Sequence, residues 1–511
     1  MQKKYLLGYD IGTSGSKGVI IDLEGKVLAS ASTVHDVEYP KPGWAEQDAD
    51  VVYWGEFQTI VNKIVKDANI NPEDIASIGI SGLSPDALAV DREGNALRNC
   101  LLYCDRRATD ECEWCAENIG EDEIVRVGGN QIDPYYAGYK CMWIARKEPD
   151  VYAKTFKFLN APAYVQLKLT GQFVADHGTG GLYSPFYKID EFRWDTEMIE
   201  KCGLDPDKFP KLYNATDVIG HVTAAAAELC GLAAGTPVVA GGGVDAPASA
   251  LCTGMIDSSV STCMCGSTHC WQIVLDEPVF DKRFINMPYF VPGKWVAIAG
   301  LGTSGSVVKW FRDNFGQVEK EYERQRGVSA YDLLNLEAEK TPKGADGLIT
   351  LPYWLGERSP IWDPKARGMF FGLSMYHTRG HMFRSIIEGI GFALEHHAEI
   401  LREKGAMPAR IIVCDGGAAS NLERQAFADI MNVPVDYMSQ IAGGPAADAF
   451  LAGMGVGLFK DFSEIRNWCH VDITNMPDPD SYETYQKLYQ VYKNLYLNTK
   501  EEMHTVADMI Q

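Results

Sequence analysis

The chain has 511 residues, 46% of them hydrophobic, with a net charge of −22. This length implies about two to four domains, each able to bury a core. The acid excess repels phosphate backbones and anionic bilayers, which argues against nucleic acid or a membrane surface as partners.

In chain order, two short β-rich runs within residues 6–22 flank a Gly/Ser/Thr turn and predict a hairpin, followed by a strand over 26–31. Apolar spacing predicts a helix over roughly 49–66, and residues 75–82 read as a buried strand ending in a Gly/Ser turn. Further strands are expected at 87–91 and 101–103, and a helix-richer stretch over about 110–230. A strand then leads into Gly241-Gly242-Gly243-Val244-Asp245, and a small-residue helix follows over 246–252. Residues 260–274 repeat the opening pattern of strand, phosphate-type turn, strand, which suggests two halves of related design with a boundary near residue 252. In the second half, helices are expected at 304–314, 379–403 and 421–431. A buried strand at 410–414, a small-residue helix from Gly443 and a polar, Tyr-rich helix over 480–502 complete the reading.

The chemistry concentrates in four Gly-rich turns, at 10–18, 241–245, 266–268 and 415–418. Glycine lets the main chain approach a ligand closely, and clustered N–H donors suit phosphate oxygens. Asp10 and Lys17 bracket the first turn and, with Gly12, Thr13 and Ser14, form a candidate nucleotide-phosphate site; an ordinary Gly-rich hairpin is the alternative. Neither a GxxxxGK[ST] run nor a GxGxxG turn with its acidic partner is present, which argues against P-loop and Rossmann sites. Two halves with phosphate hairpins point to an α/β fold of two actin-like (ribonuclease H-like) ATPase domains flanking a cleft, split as residues 1–252 and 253–511.

The chain resembles the FGGY family of carbohydrate kinases over essentially its whole length. The resemblance rests on Asp10-Ile11-Gly12-Thr13 with Lys17, on the 42–48 run from Pro42 to Asp48, and on Gly356-Glu357-Arg358-Ser359-Pro360. It continues through Asp363-Pro364, Ala366-Arg367-Gly368, Gly372-Leu373, His381-Met382 and the 385–388 run ending in Glu388. It implies an ATP- and Mg²⁺-dependent enzyme that phosphorylates a sugar hydroxyl, with the 1–252 domain binding sugar and phosphate and the 253–511 domain binding nucleotide. By the same resemblance Asp245 is the general base, and a helix cap is its alternative. Asp10 holds Mg²⁺ through water, and Thr13 and Lys17 contact the β/γ-phosphates. Gly266, Ser267 and Thr268 form the second phosphate hairpin, Gly302 lines the ribose side, and Gly416, Gly417 and Asn421 form the adenosine turn; Asp415 caps a turn or helix.

Many xylulokinase-like members carry Gln-Met-His-Gly where this chain has Leu83-Ser84-Pro85-Asp86. Loss of imidazole and amide donors changes which polyol fits, because a polar pocket rejects ligands that leave its groups unpaired. Ser84, Asp86 and Asp105 are the candidate substrate residues beside Asp245. A turn role for Asp86 and an ion pair of Asp105 with Arg106 are the alternatives. Tyr135, Tyr136 and Trp271 either wall the pocket or belong to the core. The substrate is expected to be a ketopentose such as xylulose; gluconate, ribulose or an erythritol-like polyol are the alternatives. A non-kinase actin-like ATP-binding regulator is the rival from another class.

Lys3 and Lys4 precede an apolar run too short for a secretory signal, so a cytoplasmic protein is expected, with a homodimer admitted. The 13 scattered cysteines are expected to stay reduced. Cys112 and Cys115, and the cluster of Cys263, Cys265 and Cys270, read as small buried fillers rather than zinc or redox sites.

Overall fold

A computed structural model describes residues 4–441 and 443–509. Two compact units result. The first comprises the segment ending at Ile256, Val274–Ala297 and Ile441–Cys469; the second comprises Asp257–Ile273, Ile298–Gln440 and the segment starting at His470. Among the described residues no helix is long and apolar enough to cross a membrane.

The first unit is built on a six-stranded sheet in the order Val218–His221, Pro237–Val239, Ile75–Gly82, Tyr5–Ile11, Ser16–Asp22, Val27–Ser32. The strand Tyr5–Ile11 pairs antiparallel with its hairpin partner and parallel with Ile75–Gly82. Leu6, Leu7, Tyr9 and Ile11 are all fully buried, as expected of a central strand covered on both faces. One cover is the helix Glu56–Ala68, whose Phe57, Ile60, Val61, Ile64 and Val65 form a stripe at helical spacing. The helix expected over roughly 49–66 is π-helical over Ala49–Gly55, where the Asp48 side chain caps its start by accepting from the N–H groups of Asp50 and Val51, and α-helical from Glu56.

The other cover is the helix Gly444–Gly455, and two glycines admit it. Gly8 and Gly79 are register partners. A Cβ on Gly8 would lie 1.6 Å from the Pro445 carbonyl oxygen, and one on Gly79 would lie 2.1 Å from that of Asp448. Side chains alternate along a strand, so Asp10 and Ser81, two residues on and again paired, share the face that meets this helix.

The second unit repeats the device. Its hairpin, Val260–Cys265 with His269–Leu275, pairs antiparallel, and Arg410–Cys414 adds a parallel strand beside the first arm. Val435–Tyr437 and Ile473–Asn475 extend the sheet. The 25-residue helix Arg379–Glu403 packs through glycine: a Cβ on Gly389 would meet the Thr350 carbonyl at 2.4 Å, and one on Gly391 would meet Ile430 at 2.6 Å. A 31-residue helix, Pro479–Met509, lies C-terminal and buries Tyr485, Tyr489 and Tyr492.

Candidate active site

The turn of the first hairpin is held by its carbonyls. His35 Nε2 donates to Gly12 O at 3.0 Å, Gln47 Nε2 donates to Thr13 O at 2.9 Å, and the His35 N–H donates to Ser14 O at 3.1 Å. A trans peptide points its N–H opposite its C=O. Anchoring three successive carbonyls therefore turns the N–H groups of Thr13, Ser14 and Gly15 the other way, as an anion cradle requires. Lys17 is exposed and sits across the ladder from Asp10.

Asp10 is the last but one residue of the central strand. Its Oδ1 accepts from Ser81 Oγ at 3.0 Å, and Ser81 Oγ also lies 2.6 Å from Asp448 Oδ2. Asp448 Oδ1 in turn accepts from the Gly242 N–H at 3.2 Å. Burial raises the Asp10 pKa to about 6, opposed by the Ser81 hydrogen bond and by the Lys17 charge. Asp448 is fully buried, and burial drives its pKa well above the carboxylate range, with Asp10 adding to the rise.

Gly242 belongs to the loop that presents Asp245. Gly241 and Gly243 have φ of +73° and +50° there. A Cβ at 241 would lie 2.5 Å from Ile80 O, and one at 243 would lie 1.9 Å from Asp176 Oδ2. Both positions require glycine on both counts. Asp245 is the first residue of the helix Asp245–Leu251 and not its cap, which is Val244. One Asp245 oxygen accepts the Ala246 N–H at 2.7 Å, and the other has no protein partner among the described residues. Burial first, then the charges of Asp10 and Asp86, raise its pKa to about 7.

Ser84 and Asp86 are both buried on the turn after Ile75–Gly82. Asp86 Oδ2 accepts from Ala161 N–H at 2.8 Å and from the Cys100 thiol at 3.1 Å. Among the described residues, Asp86 Oδ1 and Ser84 Oγ have no hydrogen-bond partner. Burial raises Asp86 to about 7. Asp105 is fully enclosed, and its oxygens accept from the Arg107 guanidinium at 2.7–3.0 Å and from Ala45 N–H at 2.6 Å. The ion pair weighed for it exists, but with Arg107; Arg106 pairs with Asp133. Tyr136 and Trp271 are core residues, with Tyr136 OH donating to Asn130 and Trp271 Nε1 to Ser261.

In the second unit Ser267 and Thr268 are exposed at the hairpin tip, and Ser267 O accepts from the N–H groups of Ser304 and Ser306. Gly305 makes this possible, since a Cβ there would meet Gly266 O at 2.3 Å. Gly302 N–H donates to Glu357 Oε1. Gly417 lies against the same hairpin, its virtual Cβ 3.0 Å from Cys265 O. Gly416 has open space beside it, and exposed Asn421 accepts from Asn475 at 3.1 Å. Asp415 adopts φ +71° at the head of a one-turn helix. Behind the hairpin, Cys265, His269 and Glu423 are buried with donor atoms within 4.8 Å of one another, and His269 Nε2 lies 2.9 Å from Glu423 Oε1. None of the 13 cysteines forms a disulfide.

The FGGY family of carbohydrate kinases matches the chain twice, its N-terminal domain at residues 5–252 and its C-terminal domain at residues 261–454. The chain belongs to that family. A xylulose kinase from Escherichia coli is 28% identical over 497 residues, covering 96% of this chain and 98% of the relative. A gluconokinase from Bacillus licheniformis is 28% identical over 511 residues, covering 99% and 98%. Among solved structures, xylulose kinase from Rhodospirillum rubrum superposes with a TM-score of 0.90 at 28% identity, covering 98% of this chain and 100% of that one. Gluconate kinase from Lactobacillus acidophilus gives 0.87 at 27% identity, covering 97% and 98%. This FGGY kinase is thus a two-domain actin-like ATPase fold that phosphorylates a sugar hydroxyl from ATP.

Four supporting residues escaped the sequence reading. Asp448 passes for one polar residue in an Ala-rich helix, and Ser81 for a turn residue. The glycines two positions before Asp10 and Ser81 were the available signal, because they mark the face a helix must touch. His35 and Gln47 carry no signal of their own, although Gln47 lies in the 42–48 run. That run is structural throughout: Trp44 stacks on Arg107 at 3.7 Å, Glu46 pairs with Arg107 at 2.7 Å, and Asp48 caps the following turn.

Proposed function

We propose that this FGGY kinase phosphorylates a ketopentose, xylulose foremost, with Asp245 as the base that takes the proton of the attacking hydroxyl. The observation that carries this reading is the state of Asp245: one oxygen holds its own helix start, the other is unengaged, and the pKa of about 7 suits proton transfer near neutrality. In phosphoryl transfer a protein mainly positions groups and balances charge. The N–H groups of Thr13, Ser14 and Gly15 cradle the β/γ-phosphates, with Lys17 adding charge. Gly266, Ser267 and Thr268 receive phosphate in the second unit, Gly302 borders the ribose, and Gly416, Gly417 and Asn421 border the adenosine. Residues 1–252 thereby serve sugar and phosphate, and residues 253–511 serve nucleotide. The unpartnered Ser84 Oγ and Asp86 Oδ1 are the groups left to bind substrate hydroxyls. Asp105 has its oxygens committed to Arg107 and Ala45 and acts by holding that wall.

Magnesium fits the residues present. Asp10 has one oxygen on Ser81 and the other without a protein partner among the described residues, and Asp245 adds negative charge beside it. Asp10 would hold the ion through water. When bound, Mg²⁺ neutralises charge on the β- and γ-phosphates.

Gluconate or another polyol is the second reading, supported by the gluconokinase relatives of equal identity. A coupled ADP-release screen over pentuloses, hexuloses, polyols and aldonates separates the two. Release that depends on xylulose and exceeds that with gluconate is expected. Release indifferent to any sugar contradicts the reading and returns the protein to the regulator class.

A further inference from the structure

Ser81 poses a problem of proton counting. A serine hydroxyl has one hydrogen to donate. Ser81 Oγ nevertheless sits between two carboxyl oxygens, Asp448 Oδ2 at 2.6 Å and Asp10 Oδ1 at 3.0 Å. Were both acids ionised, one of these contacts would hold no proton, and two oxygens with like partial charge would face each other inside the fold. One acid must therefore supply the second hydrogen. Asp448 is the deeper of the two: it is fully buried on the helix Gly444–Gly455, whereas Asp10 is partly exposed and stands across from Lys17.

We infer that Asp448 is a neutral carboxylic acid acting as a positioning residue: its Oδ2–H donates to Ser81 Oγ, and Ser81 in turn donates to Asp10. The remaining contact agrees, since Asp448 Oδ1 is then the carbonyl oxygen that accepts the Gly242 N–H at 3.2 Å. All three polar atoms are matched with no surplus or missing hydrogen. The chain of bonds links the two proposed working carboxylates: it fixes the rotamer of Asp10 and pins the glycine loop three residues before Asp245. It also keeps a third negative charge out of that neighbourhood. This role rests on the assignment of Asp10 and Asp245 above, but the location of the proton does not.

The ionisable groups around Asp448 are few. From the central strand it faces Asp10, with Lys17 beyond; from the end of the helix Asp245–Leu251 it meets the Cys252 thiol; Asp245 lies beyond the Gly242 loop. No cation among these touches Asp448 directly; the hydrogen bonds from Ser81 and from the Gly242 N–H favour its ionised form, and burial and the Asp10 charge oppose them.

Two measurements test the inference. The infrared difference spectrum of the unliganded wild type minus Asp448→Asn at pH 8 is expected to show one protonated-carboxyl stretch. Kinetically, Asn offers a carbonyl to Gly242 and an N–H to Ser81, so Asp448→Asn is expected to keep at least about a third of kcat. Asp448→Ala and Ser81→Ala break the chain and are expected to lose about 30-fold or more. The wild-type rate should fall at high pH as the acid ionises, and Asp448→Asn should lack that fall. Four outcomes overturn the inference: no protonated-carboxyl band, an Asn variant as poor as the Ala variant, an Ala variant at full activity, or the same alkaline fall in the Asn variant. If Asp448→Ala fails to fold, the Asn spectrum and pH profile still decide.

Discussion

At the base of the first hairpin Asp10 faces Lys17 across the ladder, whereas at the base of the second Cys265 faces His269. The two hairpins share a backbone plan of antiparallel arms with a parallel strand beside the first arm. They differ in what stands behind the turn. Behind the first, Asp10, Ser81 and Asp448 form a polar chain, and the cradle carbonyls are tied down by His35 and Gln47. Behind the second, the buried His269 is matched to Glu423, and the tip is steadied by two N–H groups on one carbonyl. The same turn is therefore backed in two different ways. The first turn is backed by a chain of hydrogen-bonded acids, and the second by a buried histidine–glutamate contact.

The largest effect should come from the reacting side. Asp245→Asn is expected to lower kcat by about 10³-fold or more, within the range of general-base loss, while nucleotide binding measured by calorimetry stays near wild type. The second effect is on stability. Gly79→Ala places a methyl 2.1 Å from the Asp448 carbonyl, and overpacking of this kind costs about 3 kcal/mol, read as a lower denaturant midpoint. Next, Asp10→Asn should lower kcat about 10²-fold and raise the Mg²⁺ concentration needed for half-maximal rate. The wild type should also lose kcat/KM for sugar about tenfold per pH unit below about 7, because the base must be ionised to accept a proton. Smaller effects separate the cradles. Gln47→Ala frees the Thr13 carbonyl and should raise KM for ATP about tenfold, equivalent to about 1.4 kcal/mol. Thr268→Ala removes one exposed hydroxyl and should cost only about threefold. If Thr268→Ala outweighed Gln47→Ala, the contrast between the hairpins would fail.

Much of this was legible in the chain. Short apolar runs gave the central strands, glycine-rich turns gave both hairpin tips, and the family motifs gave the kinase. What stayed hidden depends on contacts between distant segments. Residues 441–469 rejoin the first unit, and nothing local in that stretch announces it. Asp448 is informative only once its helix is seated on Gly8 and Gly79, because a lone acid among alanines has no periodic partner. Asp105 misled for the converse reason: its sequence neighbour Arg106 seemed the natural partner, but backbone geometry turns Arg107 inward and Arg106 outward to Asp133. The helix expected from residue 49 does start there, capped by Asp48, but its first seven residues are π-helical, which the apolar pattern does not reveal.

The most direct test of the central claim is a crystal structure of the enzyme with its sugar and a non-hydrolysable ATP analogue. The account expects an Asp245 carboxylate oxygen within hydrogen-bond reach, about 2.6–3.2 Å, of the hydroxyl aligned with the γ-phosphate. A reacting hydroxyl bonded to another group, with Asp245 turned away from it, would contradict the account.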